Sequence, residues 1–166
     1  TIINCIKDLN LHIPYIILTH GHPDHTGAMA EVKEATGAMV VMHNADATML
    51  RDKWLHSMLG FPQSDITPDH LLTDGETLNA DELYLKVLHT PGHTPGCICL
   101  KGEGIVFTGD TLFNMGIGRT DLPGGNLESL MASIHDTLMM LPDDTVVYPG
   151  HGPSSNIGKE RRNNPV

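Results

Sequence analysis

The densest chemistry in the chain lies in one stretch, Thr19-His20-Gly21-His22-Pro23-Asp24-His25-Thr26-Gly27. Its imidazoles and carboxylate form the ligand set of Zn²⁺ or a similar divalent metal. His20 and His22, two apart in extended chain, point the same way. Asp24 and His25 follow on a turn and face another direction, so one segment can serve two metals. A plain polar turn would use Asp24 or Thr26 as a helix N-cap, but such a turn has no use for three histidines. Three later turns repeat the logic of an apolar strand ending in a metal-type residue. They offer His93 in Pro91-Gly92-His93-Thr94-Pro95-Gly96, Asp110 in Thr108-Gly109-Asp110, and His151 in Pro149-Gly150-His151-Gly152. Glycine beside each lets the backbone come close. With the first stretch they supply enough donors for two sites.

The elements that must carry these turns follow from patterning. Thr1 to Asn10 has apolar residues at helical spacing. The apolar run to Leu18 is a strand from Ile13, and a helix follows the metal turn, ending at Gly37. Ala38 to His43 is the next strand, which completes a βαβ unit. Asn44 to Leu59 is loosely helical, and Gly60 to Pro68, with Pro62, is a loop long enough for a lid or a substrate wall. From His70 the pattern changes to short strands at 71–72, 77–78, 83–88, 97–100 and 105–108, a mostly antiparallel meander. Asn126 caps a helix running to Met140, and Thr145 to Tyr148 is a last strand. Lys159 to Arg162 is a basic, solvated helix end.

With 166 residues, 40% of them hydrophobic and 18% charged, one globular domain over 1–166 is expected. A net charge of −10 argues against a nucleic-acid partner, since phosphate contacts need clustered Lys and Arg. No apolar run approaches the roughly 20 residues of a membrane helix, so no membrane partner is expected. Cys97 and Cys99 sit in a strand and pack in the core, with Cys5 far away, which fits a reducing cytoplasm. His12, His56, His70 and His135 are expected at surface or helix positions, His43 and His89 near the rim, and Tyr148 in the core. Arg119 and Asp121 are expected to form a structural ion pair.

Thr-His-Gly-His-Pro-Asp-His at 19–25, followed by Pro-Gly-His at 91–93, Thr-Gly-Asp at 108–110 and Pro-Gly-His-Gly at 149–152, resembles the metallo-β-lactamase superfamily. Within it, Gly116 to Asp121 and Asn163-Asn164-Pro165 resemble the glyoxalase II-like branch. The resemblance implies an α/β fold, an αβ/βα sandwich, here without part of the family's N-terminal strand layer. It implies that His20, His22 and His93 hold one metal, that Asp24, His25 and His151 hold a second, and that Asp110 bridges the two. Lactamases of the superfamily usually carry cysteine or serine at the position of Asp110, and a carboxylate there resembles the thioester hydrolases.

The expected activity is therefore metal-dependent hydrolysis of a thioester such as S-lactoylglutathione. Two divalent ions about 3.5 Å apart share a water and lower its pKa, with zinc the first expectation and iron or manganese also suited. Asp24 and Asp110 are the expected catalytic carboxylates, and the partner is a small-molecule substrate. The alternatives are a mononuclear-iron persulfide dioxygenase, a β-lactamase or other ester or lactam hydrolase, and a catalytically silent metal-binding fragment.

Overall fold

The structure, a computed structural model, describes residues 1–61 and 65–165. Two sheets face each other and carry helices on their outer sides. The first sheet is parallel, in the order β1 (Tyr15–Ile17), β2 (Met39–His43), β3 (His70–Leu72). The second has six strands. β4 (Thr77–Ala80), β5 (Leu83–His89), β6 (Ile98–Lys101) and β7 (Ile105–Gly109) form an antiparallel meander. β10 (Val146–Pro149) then joins β7 in parallel, and β11 (Ser155–Asn156) closes that edge. A small hairpin, β8 (Leu112–Phe113) with β9 (Gly116–Ile117), stands beside it.

Alternation along the strands assigns the layers. Val41 and Leu72 of the first sheet meet Leu85, Val87, Ile98 and Leu100 of the second, forming the core between the sheets. The neighbouring residues Val40 and Met42 point to the other side and pack with Met29 of α3 (Met29–Thr36). On the far face of the second sheet, Cys99, Val106 and Val147 meet Leu130, Ile134 and Leu138, which recur four apart along the helix that opens with α5 (Leu127–Ala132). The layers thus run helix, sheet, sheet, helix, as an αβ/βα sandwich requires.

Several expectations needed correction. Leu71 and Leu72 belong to the first sheet and pair in parallel with β2, because Leu72 is needed in the core between the sheets. The helix from Asn126 is capped as expected, the Asn126 side chain accepting from the Ser129 N–H. Past Ala132 it widens into a π turn over Ser133–Thr137 and tightens into a 3₁₀ turn over Leu138–Met140. The Ser133 hydroxyl donates to the Pro91 carbonyl at 2.7 Å, tying this widened turn to the loop that carries His93. Tyr148 is exposed and stacks on Phe107, rather than being buried. His56 takes a helix position as expected, on α4 (Lys53–Leu59), and is buried there. Glu160, inside the basic segment, is also buried and accepts from the Met115 backbone N–H and the Asn164 side-chain amide; of the segment, Arg161 and Arg162 of α6 (Ile157–Asn163) are exposed and Lys159 is half-buried. Pro62, expected in the substrate-wall loop, lies outside the described residues. Among the described residues no helix is long and apolar enough to cross a membrane.

Candidate metal centre

All seven ligand-type residues converge on one rim of the two sheets. After β1 the backbone still follows β2, with the Leu18 N–H bonded to the Val41 carbonyl. The Thr19 carbonyl then accepts from the Ile98 N–H of β6, so the end of the first sheet is pinned to the second. His20 and His22 therefore arrive buried between the sheets. Pro23 opens α2 (Pro23–Thr26), with Asp24 in its first turn, and His22 occupies the N-cap position without a side-chain cap. Neither Asp24 nor Thr26 caps the helix. Asp24 instead places its Oδ2 3.4 Å from His151 Nε2 and 3.5 Å from His25 Nε2.

The other three residues come from the ends of β5, β7 and β10. His93 Nδ1 donates to the Arg119 carbonyl at 2.7 Å, so its Nε2 carries the free lone pair. That Nε2 lies 2.9 Å from His22 Nδ1. On the other side, His25 Nε2 and His151 Nε2 are 3.0 Å apart. Asp110 sits between the two pairs. Its Oδ1 is 3.3 Å from His25 Nε2, and its Oδ2 is 3.5 Å from His151 Nε2 and 3.7 Å from His93 Nε2. Gly150 makes this possible. A Cβ there would stand 2.3 Å from Asp110 Oδ1 and 2.8 Å from His25 Cε1.

Ligand atoms group within 4.8 Å as His20 with His22 and His93, as His20 with His25 and Asp110, and as Asp24 with His25 and His151. His20 thus stands near both clusters, which the sequence did not indicate. His20 Nε2 and Asp110 Oδ1 are buried with no hydrogen-bond partner among the described residues. Buried polar atoms are normally satisfied, so a cluster of imidazoles and carboxylates with orphaned acceptors fits a divalent ion better than a hydrogen-bonded core.

Electrostatics agree. Burial, helped by repulsion from His25, His93, His22 and His151, holds His20 well below the usual imidazole range. Burial and then His93 lower His22 to about 4. Burial lowers His25 against the pull of Asp110 and Asp24. Burial raises Asp110 against the three imidazoles facing it. Neutral imidazoles with free lone pairs are the metal-binding form.

A cleft of about 450 Å³ opens over the cluster, lined by His22, Asp24, Asp110 and His151 and walled by Phe61, Phe113, Ile117 and Leu122. Of these walls, Phe61 lies in the 60–68 loop expected as a lid or substrate wall and Ile117 in the 116–121 run, whereas Phe113 and Leu122 were not singled out in the sequence. Arg119 stands at the same cleft with both guanidinium bonds committed to Asp121 at 2.7 Å, the expected ion pair. His43 and His89 stack on each other at 4.0 Å, and His89 Nε2 donates to the Pro95 carbonyl, bracing the His93 loop from its outer side. Cys97 and Cys99 are buried, and burial raises their thiols to about 12 and about 11, which makes them inert.

Comparison with known proteins gives this geometry a context. A probable metallo-hydrolase of Bacillus subtilis, YqgX, is 41% identical over 165 residues, covering 96% of this chain and 78% of the relative. The hydroxyacylglutathione hydrolase GloC of Haemophilus influenzae is 39% identical over 175 residues, covering 99% and 80%. Among solved structures, the B3 metallo-beta-lactamase BLEG-1 superposes with a TM-score of 0.93 at 39% identity, covering 99% of this chain and 81% of that one. TTHA1623, solved in a di-iron-bound form, gives 0.89 at 36%, covering 99% and 82%. The family model of the metallo-beta-lactamase superfamily matches residues 6–151, a span that contains all seven ligand-type residues, and the chain belongs to that superfamily.

Proposed function

We propose that the chain is a hydrolase using two divalent ions to cleave thioesters. One observation carries the reading: a single buried carboxylate, Asp110, stands between two imidazole clusters at the floor of an apolar-walled cleft. In this reading His20, His22 and His93 would hold one ion and Asp24, His25 and His151 the other, with Asp110 available to both. Zinc suits this donor set, and so do iron and manganese. The names of the relatives support a metal-dependent hydrolase in general, and that of GloC supports the thioester. The two-sided cluster favours a pair of ions over a mononuclear iron site.

Bound ions supply Lewis acidity and make water acidic near neutral pH. The protein supplies the rest. The Arg119 carbonyl fixes the His93 ring, and the Thr19 hydroxyl, 3.2 Å from His20 Nδ1, fixes the His20 ring. Asp24, half open to the cleft, takes the proton of the attacking water on its carboxylate. The water oxygen bonds to the acyl carbon, the C–S bond breaks, and the proton passes to the leaving sulfur. Phe61, Phe113, Ile117 and Leu122 seat the acyl group and exclude bulk water.

The likeness to BLEG-1 favours a second reading, lactam hydrolysis. Metal-loaded protein assayed side by side on S-lactoylglutathione and nitrocefin separates the two. Faster turnover of the thioester is expected. Nitrocefin turnover at comparable or higher rates would replace the proposal with the second reading.

A further inference from the structure

The strongest unassigned group is a carboxylate beneath the site. Asp46 closes a 3₁₀ turn, Asn44–Asp46, that follows β2 directly. It is fully buried, and among the described residues no cation forms an ion pair with it. A buried ionised carboxylate is tolerated only where donors surround it. Asp46 has three. Its Oδ2 accepts from the Gly21 N–H at 2.9 Å and from the Thr94 hydroxyl at 2.6 Å. Its Oδ1 accepts from the Gly96 N–H at 2.6 Å.

Every donor lies on a ligand-bearing loop. Gly21 separates His20 from His22, and Thr94 follows His93 directly. The loops close tightly on the turn that carries Asp46. A Cβ on Gly96 would stand 2.6 Å from Asp46 Cγ, and one on Gly21 would stand 3.0 Å from the Asp46 carbonyl oxygen and 2.7 Å from Met49 Cβ. His25 and His151 receive nothing from Asp46; they stand on α2 and on the turn after β10.

We infer that Asp46 is a positioning residue for the ion held by His20, His22 and His93, clasping two loops 71 residues apart so that His22 Nδ1 and His93 Nε2 meet at 2.9 Å. The inference rests on the two-ion reading above. Bonds from a carboxylate to backbone N–H groups are short and strong; Gly21 and Thr94 each adjoin a ligand, and Gly96 lies three residues past His93. An amide in this place cannot serve all three donors. With its oxygen toward Gly21 and Thr94, its NH₂ faces the Gly96 N–H.

The test compares wild type, Asp46→Asn and Thr94→Val, each titrated with Co²⁺ after chelation, with the ligand-field spectrum and ions bound per chain as readouts. Groups that orient ligands typically change metal affinity by about 10–100-fold. Asp46→Asn should bind one Co²⁺ as wild type does and the other about 10–100-fold more weakly, with an unchanged far-UV spectrum. Thr94→Val, which removes one donor, should weaken the same ion by a smaller factor. Two unchanged affinities in the variants would overturn the clasp and leave the two-ion reading intact. Equal weakening of both ions, with a lowered melting point of the metal-free protein, would also overturn it and make Asp46 a general structural residue. If Asp46→Asn fails to fold, Thr94→Val decides alone, and unchanged binding there overturns the clasp. A wild type that binds no second Co²⁺ would overturn the two-ion reading and the clasp with it.

Discussion

Gly150→Ala should damage the centre with a single methyl group. The glycine is not in the left-handed backbone region, so alanine is tolerated conformationally and the effect is steric. The new Cβ would stand 2.3 Å from Asp110 Oδ1, whereas ordinary contact begins at 3.4 Å. Relief requires the carboxylate, or the Gly150 loop, to move by about 1.1 Å. His25 Cε1, at 2.8 Å from the same methyl, blocks part of the escape. Metal-ligand distances tolerate only about 0.2 Å, and a misplacement of about 1 Å in an active site costs on the order of 100-fold in rate. The variant should therefore lose about 100-fold in kcat/KM for the thioester and retain less than its full metal complement. Steady-state kinetics and elemental analysis on the same sample check both. Gly116→Ala is the control, because nothing lies within 4 Å of a Cβ there and it should behave as wild type. Wild-type metal content and rate in Gly150→Ala would refute the placement of Asp110 against both imidazole clusters.

Other predictions follow from the same geometry. Asp110→Ala removes the group facing His25, His93 and His151 at 3.3–3.7 Å, and should lose metal and activity together, read by elemental analysis and turnover. The metal-free protein should lose stability as pH falls from about 6.5 toward about 4, because His22 binds its proton less readily folded than unfolded and the unfolded chain takes up more protons across that window. Urea unfolding of chelated protein at pH 7.5, 5.5 and 4.5 measures it, and a flat profile would contradict the burial of the cluster. Leu130→Ala, at a fully buried position under the second sheet, should cost about 2–5 kcal/mol, seen as a lower urea midpoint with an unchanged slope.

The centre was legible in the sequence because its chemistry is written in residue types that a core or a turn does not need. Three histidines in His20–His25, and single polar residues after apolar strands at His93, Asp110 and His151, announce a shared rim. The meander was legible where a turn joins true partners, as Gly102-Glu103-Gly104 does between β6 and β7; Asp74-Gly75 marks instead the passage from β3 of the first sheet to β4 of the second. What stayed hidden depends on distant partners. Leu71-Leu72 looks like any short apolar run, and only its place beside β2 puts it in the parallel sheet. Tyr148 reads as core by type, yet the alternation of β10 gives the buried side to Val147. Asp46 sits in an ordinary polar turn, and its role depends on donors 25, 48 and 50 residues away. Its pairing with Gly21, Thr94 and Gly96 has no local signature.

The most direct measurement is the number of metal ions per chain in protein purified without added chelator, by elemental analysis. The account predicts two divalent ions, with Asp110→Ala reducing both. A single iron retained by wild type, or two ions that survive Asp110→Ala, would contradict it.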